Sequence, residues 1–336
     1  MELQVLVQAI ERLVDQHLPH YVDDLRLLCA IDSGSDYKPG LDQVGMFLVS
    51  RMQQLGMTTS VIENGLNGND VVGTLSGHGR GRGKIVLLGH IDTVYPVGVA
   101  EQRPLQIKGT RLYAPGASDM KGCILAALYA LEAMVSLHYD DFAEICLLCV
   151  SDEETSLRHS IPLIQHVCRD SDAVLVLEAA RENGAIVSAR KGSAWYKLTA
   201  QGHAAHAGVE PEKGKNAIVE LAHQLLQFYS LQHYLEGVTI CPGEIHGGTV
   251  PNVVPEFAQA RFDLRYLHPA DRLIIENIWR EMLGKKRVPG VRLQLELEAY
   301  RDPMICSQET KNLLKCQRRR KCEPILARFD SMTQGV

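Results

Sequence analysis

A histidine and an aspartate, His90 and Asp92, follow directly after the apolar run 84–88. A short continuous apolar run indicates a buried strand, and residues beyond the carboxyl end of such a strand line the ligand-binding edge of an open α/β sheet. An imidazole can coordinate a cation, while a carboxylate two residues further along an extended chain accepts the other ring N–H. The pair therefore indicates a metal ligand with its orienting carboxylate, although a hydrogen-bonded structural histidine fits the same two residues.

Further carboxylates follow two later apolar runs. Three consecutive acids, 152–154, come after a predicted strand over 145–150, and a third predicted strand, 173–178, ends on Glu178. Adjacent carboxylates repel one another unless a cation or protons neutralise them, so the acidic triplet is a second indication of metal. The alternative for 152–154 is a solvated acidic turn.

Asp119 lies just before a predicted apolar helix over 123–137, where a helix N-terminus favours negative charge. By itself this aspartate would be an ordinary N-cap. Together with His90, Glu154 and Glu178 it completes a set of imidazole and carboxylate donors at one rim of the predicted sheet. Such donors suit zinc, cobalt or manganese, and we expect one or two zinc ions, with cobalt or manganese as alternatives.

The overall composition is that of an ordinary globular protein. The 336 residues carry a net charge of −5, with 46% hydrophobic and 22% charged residues, so no global charge attracts nucleic acid or a membrane surface. No apolar run is long enough to span a bilayer, and the four cations at 318–321 lack interleaved aromatics. The nine cysteines are scattered, mostly in apolar runs, which is typical of reduced thiols. We expect a cytoplasmic protein without nucleic-acid or membrane partners.

The pattern of elements changes near residue 189. Upstream, strands and helices alternate as in an α/β domain, and the chain length favours about two domains. Downstream, the order strand, helix, strand, strand, helix, strand is the split βαβ pattern of a small α+β domain. Its predicted elements are 190–200, 216–233, 238–243, 257–266, 271–283 and 291–300.

In order and spacing, these motifs resemble the zinc metallopeptidase family that includes glutamate carboxypeptidase, acetylornithine deacetylase and succinyl-diaminopimelate desuccinylase. The matching segments are 89–95, 116–122, 152–154, Glu178 and the loop 202–208. The sequence Asp-Thr-Val-Tyr at 92–95 is most similar to the glutamate carboxypeptidase branch.

The resemblance implies an α/β fold: a zinc-exopeptidase-like catalytic domain with a central mixed sheet, interrupted by a small α+β, ferredoxin-like dimerisation domain. We accordingly expect a catalytic domain at 1–188, an inserted dimerisation domain at 189–298, and an incomplete return to the catalytic domain at 299–336. The expected partner is a second copy of the chain, in a homodimer formed through the inserted domain.

The resemblance also implies the metal ligands. Asp119 matches a carboxylate that bridges two zinc ions, one of which would also bind His90 and Glu178 while the other would bind Glu154. The second ion would be one ligand short. Family members carry its remaining ligand, a histidine, in a later glycine-rich loop, and this sequence has no histidine after His268. We therefore expect a truncated or altered C-terminus.

The remaining roles are implied in the same way. Asp92 would orient the histidine ligand, and Glu153 would be the general base that takes a proton from the activated water. His206 resembles the histidine that reaches the partner subunit's site and stabilises the oxyanion. Asn252 and Arg265 match positions that hold substrate, and an arginine fork suits a substrate carboxylate.

The implied activity is metal-dependent hydrolysis of an amide or peptide bond next to a C-terminal amino acid such as glutamate. One alternative keeps the chemistry but changes the substrate to an N-acyl amino acid, which would make the chain a deacylase. Another is a catalytically inactive remnant that only dimerises or binds ligand.

Overall fold

A computed structural model of the chain shows two compact units. Four stretches are described: residues 3–79, 83–155, 157–179 and 185–319. Unit 1 runs up to Ile186, and unit 2 begins at Val187 and includes the remaining described residues. Within the described part of the chain, every helix is too short or too polar to cross a bilayer.

Unit 1 is built on a five-stranded mixed sheet, as the resemblance implied. Its elements are α1 (Leu3–Cys29), α2 (Lys38–Gln54), β1 (Thr58–Ile62), β2 (Asp70–Ser76), β3 (Lys84–His90), α3 (Val99–Gln102), β4 (Gln106–Lys108), β5 (Arg111–Tyr113), α4 (Gly122–Ser136), β6 (Glu144–Val150), α5 (Ile161–Cys168) and β7 (Ala173–Val176). The strand order is β1-β2-β6-β3-β7. Strand β3 runs parallel to β6 and β7, whereas β2 is antiparallel to β6 and β1 to β2. The carboxyl ends of three neighbouring strands therefore meet at one edge.

The packing of α4 against β3 fixes the geometry of that edge. The last six residues of β6 are all buried, and α4 buries apolar residues that include Ile124 and Leu128. A Cβ atom on Gly89 would lie 2.9 Å from Ile124 Cγ1 and 3.0 Å from Met120 Sδ. Since only a glycine allows this approach, α4 and the turn before it lie directly against the end of β3.

Strand β7 is more exposed than the other parallel strands of this sheet. Val174, Leu175 and Val176 are 38%, 43% and 53% exposed, although successive residues of a strand point to opposite faces. Parallel strands are usually covered on both faces. The sheet edge next to β3 therefore carries open apolar surface.

Unit 2 has the predicted order of strands and helices. Its elements are β8 (Gly192–Gln201), α6 (Ala217–Tyr229), β9 (Thr239–Gly247), β10 (Phe257–Tyr266), α7 (Pro269–Met282), β11 (Arg292–Arg301) and α8 (Gln308–Arg319). The antiparallel sheet has the order β11-β8-β10-β9. Even-numbered residues of β8 and β10 are buried towards a core that contains Tyr196, Phe228, Phe262 and Trp279, while odd-numbered residues face the other way.

The end of unit 2 lies beyond the predicted domain boundary at 298. Tyr266 Oη donates a hydrogen bond to the carbonyl of Arg301 at 2.8 Å, and Met304 pairs with Arg190. These contacts hold the chain after 298 in unit 2, whereas we expected a return to the catalytic domain at 299–336. Residues 320–336 of that segment lie outside the described residues, and the predicted boundaries stay predictions.

Candidate functional site

His90 ends β3 and is 1% exposed. Its Nδ1 lies 2.9 Å from the backbone carbonyl of Asp92 and 3.2 Å from Asp92 Oδ1, and its Nε2 lies 3.0 Å from Asp119 Oδ1. A carbonyl oxygen can only accept a hydrogen bond, so Nδ1 carries a proton. In the neutral ring, Nε2 is therefore the nitrogen that can bind a cation.

The contact between His90 Nε2 and Asp119 tests whether a cation fits this position. With a proton on Nδ1, a neutral imidazole would direct a lone pair at the Asp119 carboxylate, and the contact requires a proton or a metal cation between the two atoms. Burial alone lowers the pKa of His90, but the hydrogen bonds to Asp119 and Asp92 overcome it and raise the pKa to about 11. The two carboxylates around His90 therefore favour positive charge at the ring, and a divalent cation at Nε2 would supply it.

Asp92 connects the ends of β3 and β6. It is fully buried and accepts hydrogen bonds from Ser35 Oγ at 2.7 Å, the Glu153 amide at 3.1 Å and the Glu154 amide at 3.0 Å. Burial acts to raise the pKa of Asp92, but the hydrogen bonds from His90 and Ser35 outweigh it and keep the pKa below its usual value. The ionised carboxylate therefore holds the backbone of both glutamates beside the histidine.

Five side chains come together at this edge in two overlapping groups. Ligand atoms of His90, Asp119 and Glu154 lie within 4.8 Å of one another, and so do those of His90, Glu153 and Glu178. The resemblance implied that Asp119 bridges two ions, one of which also binds His90 and Glu178 while the other binds Glu154, and that division stays a prediction. Both groups share His90, and since its Nδ1 carries a proton, Nε2 is the one nitrogen that this histidine can offer to an ion.

The acidic residues of the first group are crowded. Burial raises the pKa of Glu154 to about 7, and the neighbouring charge of Asp119 adds to this effect. The hydrogen bond from His90 lowers the pKa of Asp119. Carboxylates in these surroundings need a counter-charge, which is the condition that the acidic triplet led us to expect for a metal site.

Asp119 lies in the irregular turn Ala117–Lys121 that precedes α4. The alternative of simple N-capping is wrong, because its carboxylate contacts His90 and the N-cap position of α4 is Lys121, which makes no side-chain cap. The buried Lys121 Nζ donates to the carbonyls of Leu28 and Ile31 at 3.0 and 2.8 Å. The turn that carries Asp119 is thereby tied to the end of α1.

Two of the three predicted substrate-contacting residues of unit 2 are neighbours. His206 pairs with Val253, and the Ala207 amide donates to the carbonyl of Asn252 at 3.0 Å. The Gly208 amide donates to His206 Nδ1 at 3.1 Å. A neutral His206 therefore carries its proton on Nε2, and its ring is exposed.

Arg265 lies apart from these two residues. It comes eight positions after Phe257, the first residue of β10, which follows the segment that contains Asn252. At a rise of about 3.3 Å per residue, the two ends of that span are about 26 Å apart. Within one copy of unit 2, Arg265 therefore lies far from His206.

Sequence analysis missed two contacts of the histidine cradle. Ser35 reaches Asp92 because Gly34 pairs with Thr93, and the His90 amide lies 3.1 Å from Met120 Sδ. Ser35 lies 57 residues before Asp92 in the chain. No local spacing indicates such a contact, and only the serine-rich polar turn at 33–36 gives a weak signal.

Comparison with known proteins agrees with this architecture. The family model described as a peptidase dimerisation domain matches residues 188–291, within unit 2. Carboxypeptidase G2 of Pseudomonas sp. (strain RS-16) is 28% identical over 299 residues, which cover 88% of this chain and 72% of that protein. Succinyl-diaminopimelate desuccinylase of Stenotrophomonas maltophilia (strain K279a) is 30% identical over 261 residues, or 72% of this chain and 68% of that protein.

The fold is also found among solved structures. The M20 family metallo-carboxypeptidase Sso-CP2 from Sulfolobus solfataricus superposes with a TM-score of 0.61 at 16% identity, covering 84% of this chain and 79% of that one. The desuccinylase match covers at least two thirds of both sequences at 30% identity. The chain belongs to the M20 peptidase family of metal-dependent peptidases and deacylases.

Proposed function

We propose that this chain hydrolyses an amide or peptide bond next to a C-terminal amino acid, in the manner of a glutamate carboxypeptidase. The observation that carries the proposal is the convergence of His90 with four carboxylates at the carboxyl edge of the sheet. The relatives named carboxypeptidase G2 and succinyl-diaminopimelate desuccinylase support this class of reaction.

The proposed metal ligands are His90, Asp119, Glu154 and Glu178. Imidazole nitrogen and carboxylate oxygen are donors that suit zinc, with cobalt or manganese as alternatives. When bound, such an ion activates a water molecule for attack and polarises the scissile carbonyl. Since one imidazole nitrogen is shared by both groups of carboxylates, we expect one firmly bound ion per chain.

Glu153 is the proposed general base. Its amide is held by Asp92 Oδ1 at 3.1 Å, and its half-buried carboxylate lies beside His90 and Glu178. In this position it accepts the proton of the attacking water and returns it to the leaving amine. Asp92 acts on both partners, because it orients the imidazole and fixes the backbone of the base.

The proposed roles in unit 2 belong to two separate positions, one outside the strands at His206 and Asn252 and the other on β10 at Arg265. His206 can donate from Nε2 to the oxyanion of the tetrahedral intermediate, and Asn252 lies next to it. The Arg265 guanidinium suits the carboxylate of the substrate. A single copy of unit 2 cannot offer both positions to one substrate, whereas two copies in a homodimer can.

The surface of unit 2 supports such a homodimer. Strand β9 is an edge of the four-stranded sheet, and α6, which packs on that sheet, exposes Val219, Leu226 and Tyr229 at 46%, 73% and 49%. An unpaired strand edge next to an apolar helix face is a surface that a second copy can cover with two-fold symmetry. The dimerisation domain matched at 188–291 agrees with this proposal.

The first experiment measures bound zinc and hydrolysis in the same sample of folded, dialysed protein. We expect about one zinc per chain and turnover of an N-acyl glutamate, with Glu153→Gln reducing kcat roughly 10²- to 10⁴-fold, as for a lost general base, while zinc remains bound. Glu144→Gln, at the opposite end of β6, is the matched control and should leave kcat unchanged.

A substrate panel then separates the alternatives. Faster turnover of N-acetyl or N-succinyl amino acids than of peptides would identify a deacylase. A folded, zinc-loaded wild-type chain that hydrolyses none of these substrates would refute the proposed activity and leave a protein that only dimerises or binds ligand.

The second experiment tests the contribution of His206 across the homodimer. Glu153→Gln and His206→Ala chains are each expected to be inactive, and mixing them in equal amounts should restore activity. Random pairing gives half of the dimers one intact site each, or about a quarter of wild-type activity. No recovery in a mixture shown to contain hybrid dimers would mean that His206 does not serve the partner's site.

A further inference from the structure

The open face of the unit 2 sheet carries a ladder of ion pairs. Lys197 contacts Glu296 at 2.7 Å and Glu298 at 3.7 Å, and Arg261 contacts Glu298 at 3.1 Å and Glu244 at 3.6 Å. Each of these two cations is matched by two carboxylates. Their charge is therefore balanced within the sheet.

Arg265, on the same face, is paired differently. Its Nε lies 2.7 Å from Asp263 Oδ2, and the other oxygen of Asp263 accepts a 3.0 Å hydrogen bond from the indole Nε1–H of Trp195. Trp195 is the direct cross-strand partner of Asp263 in the β8–β10 register, and Arg265 is two residues further along β10. Residues spaced in this way project from the same face of a sheet.

This arrangement fixes the orientation of the guanidinium. Asp263 is held from two sides, since one oxygen binds Trp195 and the other binds Nε of Arg265. A guanidinium bound through Nε still presents the edge formed by its two terminal nitrogens, which matches a carboxylate in a bidentate geometry. The indole beside it is 52% exposed and offers a flat apolar surface.

We propose that Asp263 and Trp195 are positioning residues that hold Arg265 as a receptor for the free carboxylate of a C-terminal amino acid, whose side chain packs against the Trp195 ring. The identity of this substrate class rests on the proposed function, whereas the three-residue arrangement is a property of unit 2 alone. Trp195 faces away from the core of unit 2. Core packing therefore does not explain why an exposed tryptophan binds Asp263 at this position.

A binding measurement tests the proposal without requiring turnover. The chain has two tryptophans, of which Trp279 is fully buried, so changes in emission on adding N-acetylglutamate to the zinc-loaded homodimer report on Trp195. We expect a saturable change with N-acetylglutamate, a much weaker response to its uncharged diamide, and loss of the signal in Trp195→Phe.

Substitution of the anchoring carboxylate completes the test. Asp263→Asn should weaken N-acetylglutamate binding by about tenfold and raise KM by a similar factor, which is the scale of a lost charge-assisted hydrogen bond. The value of kcat should change little. Glu298→Gln removes a carboxylate from the same face that contacts Lys197 and Arg261, and it should leave both constants unchanged. A structural role for Asp263 would lower Tm without separating KM from kcat.

The outcomes distinguish this inference from the proposed function. Equal, less than about twofold effects of Asp263→Asn and Glu298→Gln on N-acetylglutamate binding would reduce Asp263–Arg265 to an ordinary surface ion pair and overturn the inference. If hydrolysis is absent but N-acetylglutamate binding still depends on Asp263, the proposed activity fails and the carboxylate receptor stands.

Discussion

Replacing Asp92 by asparagine should show whether zinc affinity depends on the contacts at His90 or only on the stability of the whole fold. The fully buried carboxylate accepts hydrogen bonds from Ser35, Glu153 and Glu154 and contacts His90 Nδ1. Asparagine has nearly the same shape but only one acceptor oxygen. Its NH₂ group would face one of the two glutamate amides, and that amide would lose its acceptor.

The size of the effect follows from these contacts. A buried donor left without a partner costs about 1–3 kcal/mol, and hydrogen bonds to a charged group contribute about 1.5–3 kcal/mol each. We therefore expect Asp92→Asn to lower the free energy of unfolding by about 2–4 kcal/mol. The backbone carbonyl of residue 92 still accepts from His90 Nδ1, so loss of the carboxylate should weaken zinc binding by about 10-fold, the lower end of the range for a changed partner of a metal-binding histidine.

The assay combines urea unfolding with competition for zinc by a chelator of known affinity. Asp32→Asn is the matched control, because Asp32 also accepts two backbone amides, from Gly98 at 2.7 Å and Ala100 at 2.9 Å, but contacts no proposed ligand. The control should lose stability on a similar scale and keep its zinc affinity.

Two results would refute this reasoning. Equal zinc affinity in wild type and Asp92→Asn would show that Asp92 does not orient the metal-binding histidine. Equal loss of zinc affinity in Asp92→Asn and Asp32→Asn would show that zinc binding follows global stability and not the contact with His90.

Three further predictions concern the same unit. Gly89→Ala should lower the free energy of unfolding by about 1–3 kcal/mol and weaken zinc binding, because the new Cβ would overpack against Ile124 and Met120. Gly243→Ala, which has open space around it, should change neither quantity in the same urea and zinc assays. Burial raises the pKa of the Cys29 thiol from 9.0 to about 11, so between these pH values the native thiol keeps a proton that the unfolded chain loses. The free energy of unfolding should therefore fall as the pH rises from 9 to 11. In urea titrations, Cys29→Ala should make that fall shallower. Removing zinc with a chelator should lower Tm measured by calorimetry, because an ion at 100 times its Kd stabilises the folded state by about 2.7 kcal/mol, and an unchanged Tm would argue against a bound ion.

Much of the fold could be predicted because it depends on local pattern. Apolar runs of strand length end at His90 and before Asp152, and the structure places β3 and β6 there. The strand and helix order of unit 2 follows from alternating apolar residues and from turn residues between them. Strand β11 continues to Arg301 and is followed by contacts that no periodicity indicates.

The candidate site divides in the same way. The sequence by itself determined which donor types follow which strands, and because carboxyl ends of parallel strands meet at one edge, it determined that His90 and the acidic residues would converge. Only the tertiary structure decided which carboxylates lie together beside His90. Their grouping depends on the close approach of α4 to Gly89 and on the hydrogen bond from the Glu153 amide to Asp92.

Strand register gave unit 2 its specific contacts. The pairing of β8 with β10 sets Trp195 opposite Asp263, and Arg265 then stands beside them and far from His206. The positions of Trp195 and Asp263 in the chain differ by 68, and a shift of the register by one residue would turn the two side chains to opposite faces of the sheet. Residue order therefore supplied the chemistry of the protein, and packing and register decided which of those residues act together.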